Sequence, residues 1–272
     1  MHLELAQEVT HHLARVRGVQ AVVLGGSRAR GTARPDSDVD IGIYYDPKEP
    51  LDTDALAALA TRLDDRGDVS VTPVGGWGPW INGGAWLRIN GTPVDWIYRD
   101  LQLVERTVEE CRAGRSRHVT QPGHPHGFHT HAYLGELHHA VLLHDPTGRV
   151  RILKDRARSY PPLLRTQLTQ AFSWQATFWL DVAGKSARRG DTYHVTGCLF
   201  QTVSSLIQVL YATNERHFLN EKGAITEIMT FPRRPDDFEA VATRVLGNPG
   251  STAAELRASL EVLRDLTRRV VS

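Results

Sequence analysis

Gly25-Gly26-Ser27-Arg28-Ala29-Arg30-Gly31, followed by Ser37-Asp38-Val39-Asp40, is the stretch that decides how this chain folds. Its small residues follow one apolar run, residues 19–24, and precede a second, residues 39–45. Strand side chains alternate between two faces, so Asp38 and Asp40 are predicted to share a face with Cα atoms roughly 6–7 Å apart. Carboxylates that close repel each other unless a cation lies between them, and Mg²⁺ prefers such oxygen ligands.

Each half of the stretch has an ordinary explanation, because Gly-Gly-Ser forms many turns and Asp-x-Asp occurs on solvated strands. Their combination indicates a turn that offers backbone N–H groups and the Ser27 hydroxyl to phosphate, beside aspartates that hold the bridging metals. A hydrolase nucleophile elbow does not fit, since Ser27 follows the first predicted strand and Ala29 replaces the last glycine. The sequence also lacks the Gly-Lys-Ser/Thr of a P-loop and the G-x-G-x-x-G of a dinucleotide site.

Gly-Ser, a short spacer ending in Arg-Gly, and then Ser-Asp-x-Asp resemble the signature of the DNA polymerase β-like nucleotidyltransferase superfamily. Among its smaller members, the chain is most similar to the aminoglycoside and lincosamide nucleotidyltransferases. The resemblance covers roughly residues 19–100, and the remainder loosely resembles the helical domain of the antibiotic-modifying branch. This superfamily carries a third carboxylate on a later antiparallel strand.

Asp95 is the candidate for that third carboxylate. It lies in the strand-like segment 92–98, which follows residues 85–89 through Asn90-Gly91, a strong two-residue hairpin signal. Val94 and Trp96 are predicted to point away from the Asp95 face. The alternative is an edge-strand aspartate that faces water.

The resemblance implies transfer of a nucleoside monophosphate from a nucleoside triphosphate, with ATP expected, to an acceptor hydroxyl. It implies two Mg²⁺ ions, which Mn²⁺ can replace. The metal ligands and catalytic acids would be Asp38, Asp40 and Asp95. The nucleotide would contact Gly25, Gly26, Ser27 and Arg30.

Three further side chains are candidates in the C-terminal half. Lys185 and Lys222 belong to a set of only four lysines, and each is a candidate triphosphate ligand or an ordinary partner of a helix end. Related kanamycin-modifying enzymes place a general base on the first helix of the second domain, where this chain has Glu136. The alternative is an exposed glutamate.

The 272-residue composition, with 41% hydrophobic and 23% charged residues, is that of a water-soluble globular protein. A formal net charge of +1 gives no general attraction to nucleic acid or membrane, so neither is expected as a partner. No secretory leader or membrane-spanning run is visible. Cys111 and Cys198 are far apart, which favours a reduced cytoplasmic location. The oligomeric state stays open.

The fold class is predicted as α+β, with a small mixed β-sheet nucleotidyltransferase domain over residues 1–115 and an all-α helical bundle over 132–272. The connecting segment 116–131 is rich in histidine and is predicted to be a crossing loop, with a structural zinc site as the alternative. Helices are predicted over residues 133–144 and from Pro162 to a stop at Gly184. Trp77 and Trp80 either stack on a base or cover one end of the sheet.

The preferred function is therefore transfer to a small molecule such as an aminoglycoside-like antibiotic. The alternative is a nucleotidyltransferase of a toxin–antitoxin or regulatory system that modifies a protein or RNA, with the basic segment 149–158 as the partner surface. A third hypothesis, a nucleotide-binding module without activity, conflicts with the presence of three carboxylates.

Overall fold

A computed structural model describes residues 2–272 and divides them into two compact units. The first unit runs to Glu110 and also includes Arg117–Gly123 and Gly127–Ser159. The second unit comprises Cys111–Ser116, His124–His126 and Tyr160–Ser272.

The first unit is built around a five-stranded sheet in the order β3-β4-β2-β1-β7, in which β2 and β4 are parallel and every other neighbouring pair is antiparallel. Its strands are β1 (Val19–Leu24), β2 (Val39–Tyr45), β3 (Gly84–Ile89), β4 (Thr92–Asp100) and β7 (Val141–His144). A separate two-stranded ribbon consists of β5 (His118–Val119) and β6 (Phe128–His129). The helices are α1 (His2–Leu13), α2 (Gly26–Arg30), α3 (Thr53–Leu63), α4 (Leu101–Arg112), α5 (Ala132–His139) and α6 (Arg149–Arg156).

Alternation along the central strands separates an apolar face from a polar one. In β2, Ile41 and Ile43 are fully buried, whereas Asp40 is half-buried on the opposite face. In β4, Trp96 is fully buried and Asp95 is half-buried. The apolar face packs on α1 and α3 and forms the core, which leaves the acidic face available for function.

The predicted hairpin turn is confirmed. Asn90 and Gly91, which join β3 to β4, have φ values of 50° and 77°, the left-handed pair that a two-residue hairpin turn requires. The turn sets the register that pairs Trp86 with Asp95.

The prediction of a helix over residues 133–144 is wrong for its last part. Helix α5 ends at His139, and β7 then pairs antiparallel with β1. The outer edge of β1 supplies the hydrogen-bond partners for β7, and this tertiary pairing overrides the helical periodicity of the local sequence. Both α5 and β7 therefore belong to the first unit.

The second unit is a helical bundle of α7 (Pro162–Arg188), α8 (Thr192–Thr213), α9 (Ala224–Ile228), α10 (Phe238–Gly247) and α11 (Ala253–Val271). Gly184 does not stop α7, because the buried stripe continues through Ala183 and Ala187 against α8 and α11. Of the helices in residues 2–272, only α8 is long and apolar enough to cross a membrane, and 78% of its most apolar window is buried in the bundle. The predicted α+β class is confirmed, with a mixed sheet followed by a helical C-terminal region.

Candidate active site

Asp40 and Asp95 lie side by side in the sheet. The parallel register of β2 and β4 pairs these two residues directly, on strands that are about 4.8 Å apart. Both carboxylates belong to the half-buried face of the sheet. Asp38 lies one residue before β2 and is exposed.

The Gly25–Gly26 turn packs directly on Asp40. The Gly25 N–H donates to the Asp40 carbonyl oxygen at 2.8 Å. Gly26 has a φ of +60°, and a Cβ there would lie 1.7 Å from Asp40 Oδ2. The turn therefore approaches the carboxylate as closely as only glycine permits.

The turn continues into α2, where Ser27 and Arg30 are half-buried. Arg28 in the same helix fixes the chain that carries Asp38, since its guanidinium donates to the Asp38 carbonyl oxygen at 2.9 Å and to that of Ser37. Thr32 N–H donates to the Ser27 carbonyl oxygen at 3.0 Å. The turn and the aspartate segment are thus linked into one local structure, and the phosphate-binding roles of Gly25, Gly26, Ser27 and Arg30 stay predictions.

These residues fit a magnesium ion that substrate helps to bind. Within residues 2–272, no three His, Cys, Asp or Glu side chains are gathered into a metal cage. Mg²⁺ commonly uses one or two carboxylates and completes its shell with substrate phosphates and water. The Asp40–Asp95 pair beside a glycine turn is a donor set of that kind.

Glu136 is engaged by a buried arginine. Both of its carboxylate oxygens accept hydrogen bonds from Arg99, at 2.8 Å from Nε and 2.7 Å from Nη2. Arg99 is 5% exposed and lies on the same face of β4 as Asp95, four residues further along. Its guanidinium also lies over the Tyr133 ring, 5.5 Å from the centroid.

The Arg99–Glu136 pair has consequences for the groups around it. Burial by itself would lower the pKa of Arg99, but the Glu136 carboxylate raises it well above its ordinary value. Burial raises the pKa of Tyr44 and of Tyr133, so both phenols stay neutral. Removal of Glu136 would leave the buried Arg99 guanidinium without its carboxylate partner, which is costly. The assignment of Glu136 as a base stays a prediction.

Lys185 and Lys222 belong to the second unit. Lys185 is exposed in the last turn of α7. Lys222 is exposed in a turn where its N–H donates to Asn220 Oδ1 at 2.9 Å. Their predicted roles as triphosphate ligands stay predictions.

The histidine-rich segment is divided between the two units. His118 and His129 are cross-strand partners whose rings stack 4.5 Å apart in the first unit. His124 belongs to the second unit, where its Nδ1 lies 3.0 Å from Glu221 Oε2, and His126 Nε2 lies 3.7 Å from Glu221 Oε1. Burial acts to raise the pKa of Glu221, but the His124 hydrogen bond and the nearby ring of His126 lower it overall.

Two residues near the acids were missed by the sequence analysis. Arg99 was detectable as the one arginine that follows the apolar run of β4, but its partner Glu136 is distant in sequence. Trp86 was detectable from the hairpin register, since Asn90-Gly91 places it directly opposite Asp95.

Comparison with known families agrees with this geometry. Residues 5–76 match a family model described as Nucleotidyltransferase domain. This part of the first unit is therefore similar to nucleotidyltransferase domains. The protein is accordingly a transferase, and the matched range includes the glycine turn, Asp38 and Asp40. Asp95 lies outside that range, and the sheet register places it beside Asp40.

The remaining comparisons add little on function. Residues 129–222 match a domain of unknown function, DUF4037. No curated protein matches this chain. A solved nucleotidyltransferase-like protein from Exiguobacterium sibiricum 255-15 aligns with 98% of this chain and 74% of its own, at 13% identity and a TM-score of 0.45.

Proposed function

We propose that this protein is a magnesium-dependent cytoplasmic enzyme that transfers a nucleoside monophosphate, with ATP as the expected donor, to a hydroxyl group of a small antibiotic-like molecule. One observation carries the proposal: Asp40 and Asp95 are register partners on the half-buried face of the sheet, with Gly26 against the Asp40 carboxylate. The nucleotidyltransferase match over residues 5–76 supplies the reaction class.

In the proposed reaction the acceptor oxygen forms a bond to the α-phosphorus, the bond from that phosphorus to the bridging oxygen breaks, and pyrophosphate leaves. Asp40, Asp95 and the exposed Asp38 would hold Mg²⁺, which neutralises charge on the attacking and leaving oxygens. The turn at Gly25, Gly26 and Ser27 would bind the β- and γ-phosphates through N–H and hydroxyl donors. Asp95 would orient the acceptor hydroxyl.

The acceptor's proton must leave during this step, and Glu136 is the predicted recipient. Its carboxylate is held by the ion pair with Arg99 at 2.7 Å. The same pair occupies both oxygens, so transfer to Glu136 would require one hydrogen bond from Arg99 to lengthen. A pH–rate profile therefore distinguishes a base from a carboxylate that holds α5 in place.

Ion pairs of the arginines in the basic segment 149–158 favour a small acceptor over RNA or an acidic protein. Arg149 is paired with Asp46 at 2.8 Å and with Glu105 at 2.9 Å. Arg156 is paired with Glu109 at 2.7 Å, and Arg158 with Asp155 at 3.3 Å. Much of the positive charge of this segment is thus neutralised within the first unit.

Asp40→Asn and Asp95→Asn are expected to reduce pyrophosphate release at least a hundredfold, because each removes a carboxylate from the nucleotide–metal site. Thermal shifts with the four nucleoside triphosphates and Mg²⁺, and then with kanamycin and lincomycin, identify the pair of substrates for the assay.

Glu136→Gln is expected to lower kcat at least tenfold, with ATP affinity nearly unchanged and a loss of the acidic limb of the pH profile.

Asp54→Asn is the matched control, since this exposed acid lies in the first turn of α3, outside the elements that carry the site residues. Melting temperatures of all variants must stay near that of the wild type for the rates to be compared. Wild-type turnover in either Asp40→Asn or Asp95→Asn would refute the proposed site, and transfer to a protein or RNA in place of the small molecules would refute the proposed acceptor.

A further inference from the structure

Trp86 extends the row of residues that contains the two acids. It is the register partner of Asp95 across the β3–β4 hairpin, and Asp95 is the register partner of Asp40. Side chains of directly opposed residues lie on the same face of a sheet. Trp86, Asp95 and Asp40 therefore form one line across three adjacent strands.

The indole of Trp86 is exposed and is supported from one side. Trp86 is 61% exposed, although its neighbours Ala85 and Leu87 are buried. Trp77 stacks on it with ring centroids 4.5 Å apart and an interplanar angle of 24°. An exposed tryptophan that already stacks on a second ring is a rigid, flat binding surface.

Both tryptophans are held in place by their surroundings. Gln121 Nε2 donates to the Trp77 carbonyl oxygen at 2.6 Å. A Cβ at Gly84 would lie 3.1 Å from Trp77 Cζ3, so the glycine leaves room for that ring over β3. Arg66 Nη2 donates to the Trp86 carbonyl oxygen at 3.3 Å, which fixes the main chain of this edge strand.

The order of residues in this row places Trp86 on one particular side of the candidate site. The glycine turn adjoins Asp40 through the Gly25–Asp40 hydrogen bond and the close approach of Gly26. Asp95 comes next, and Trp86 follows at the end opposite the turn. If the turn holds the triphosphate, Trp86 lies on the side where the acceptor enters.

We propose that Trp86, backed by Trp77, is the surface on which a ring of the acceptor packs while its hydroxyl reaches Asp95. This inference rests on the proposed nucleotidyl transfer and assigns its acceptor to ring-bearing small molecules. Cross-strand partners have Cα atoms about 4.5–5.5 Å apart, so a ring over Trp86 brings a ring substituent to the Asp95 carboxylate. The competing occupant is the base of the nucleotide, because an indole stacks on any π-face.

Trp86→Ala tests the inference and Trp86→Phe tests whether a flat ring suffices. In the wild-type background, KM for kanamycin or lincomycin is measured by pyrophosphate release and Kd for Mg–ATP by calorimetry. Trp86→Ala is expected to raise the acceptor KM about tenfold or more, as loss of a stacking contact does, with Kd for Mg–ATP within twofold. Trp86→Phe is expected to retain most of the acceptor affinity.

Trp174→Ala is the matched control, because Trp174 is 63% exposed and stacks on Phe178 at 5.0 Å in the second unit. An equal rise in KM for Trp174→Ala, or none for Trp86→Ala, would overturn the inference. Loss of Mg–ATP affinity in Trp86→Ala would assign the indole to the base and would also overturn it.

Indole fluorescence separates this inference from the proposed function. If kanamycin or lincomycin quenches the fluorescence of the wild type and not that of Trp86→Phe, the acceptor surface is supported. If no pyrophosphate is released in the same mixture, the transfer reaction is refuted and the acceptor surface is not. If neither kanamycin nor lincomycin quenches wild-type fluorescence, and neither alters pyrophosphate release, the assignment of ring-bearing acceptors is overturned.

Discussion

A single methyl group at position 26 is enough to move Asp40. Gly26→Ala would place a Cβ 1.7 Å from Asp40 Oδ2 and would also demand a φ of +60° from alanine. We expect the carboxylate to be displaced, with at least a hundredfold loss of pyrophosphate release and loss of Mg²⁺-dependent ATP binding by calorimetry.

Gly31→Ala separates these two effects. Gly31 has a φ of 72°, but a Cβ there meets nothing within 4 Å, so this variant has the backbone cost of about 1 kcal/mol without the clash. Gly31→Ala should therefore be slightly less stable and fully active. Equal activity in the two variants would contradict the close packing of the turn on Asp40.

At the residue scale, the sequence predicted the acids better than their neighbours. Strand alternation predicts the face on which each of Asp40 and Asp95 lies, because the side-chain period of two is fixed by backbone geometry. The choice of Asp95 as the third carboxylate came from the family resemblance. The Arg99–Glu136 pair could not be predicted, since it joins a strand and a helix that are distant in sequence and whose packing depends on the complete first unit. Glu136 was predicted from family resemblance alone, without its partner.

At the element scale, Asp64 holds the outer edge of β3. It accepts hydrogen bonds from Arg66 N, Nε and Nη2 at 2.9, 3.1 and 3.0 Å, and from Arg88 N at 2.7 Å. The Arg66 side-chain hydrogen bond is the main reason that the pKa of Asp64 lies well below its ordinary value. The bond from Arg88 N occupies a polar group of an edge strand that would otherwise be open to pairing.

Asp64→Asn should therefore destabilise the protein by about 2–3 kcal/mol at pH 7, because hydrogen bonds to a charged group are lost. A lowered folded-state pKa means that this stabilisation is complete above the unfolded pKa of about 3.9 and is lost as the pH falls toward the folded value. The difference between wild type and variant in urea unfolding should narrow below about pH 4. A constant difference from pH 7 to pH 3 would contradict this role, and Asp54→Asn serves as the control.

Elements with strong local signals were predicted correctly, and those formed by tertiary contacts were not. The Asn90-Gly91 turn is local and is confirmed. The Asp191 cap of α8 and the capping box at Thr252 are further local features of the structure. Strand β7 depends on the free edge of β1, and the extension of α7 past Gly184 depends on the bundle around it. Neither of these tertiary contacts can be predicted from a short window of sequence.

At the scale of the whole molecule, the stability of the first unit requires residues well beyond the range 5–76 that matches the family model. Strand β1 is paired on both sides, and its outer partner β7 ends at His144. A fragment of residues 1–159 is therefore expected to unfold cooperatively by circular dichroism. A fragment of residues 1–115 should melt at least 10 °C lower or aggregate, because it lacks β7 and α5 and exposes the β1 edge. Equal melting temperatures for the two fragments would contradict this requirement.

The parallel pairing of β2 with β4 also has a consequence for the order of folding. The β3–β4 hairpin closes over two residues and can form within microseconds, whereas joining β2 to β4 closes a loop of about fifty residues. Asp40 and Asp95 therefore meet late, after apolar burial has begun to hold the strands together. We therefore expect any repulsion between the two carboxylates to act on the completion of the sheet and to leave the earlier β3–β4 hairpin unaffected, so that a site suited to a cation has little effect on the speed of folding.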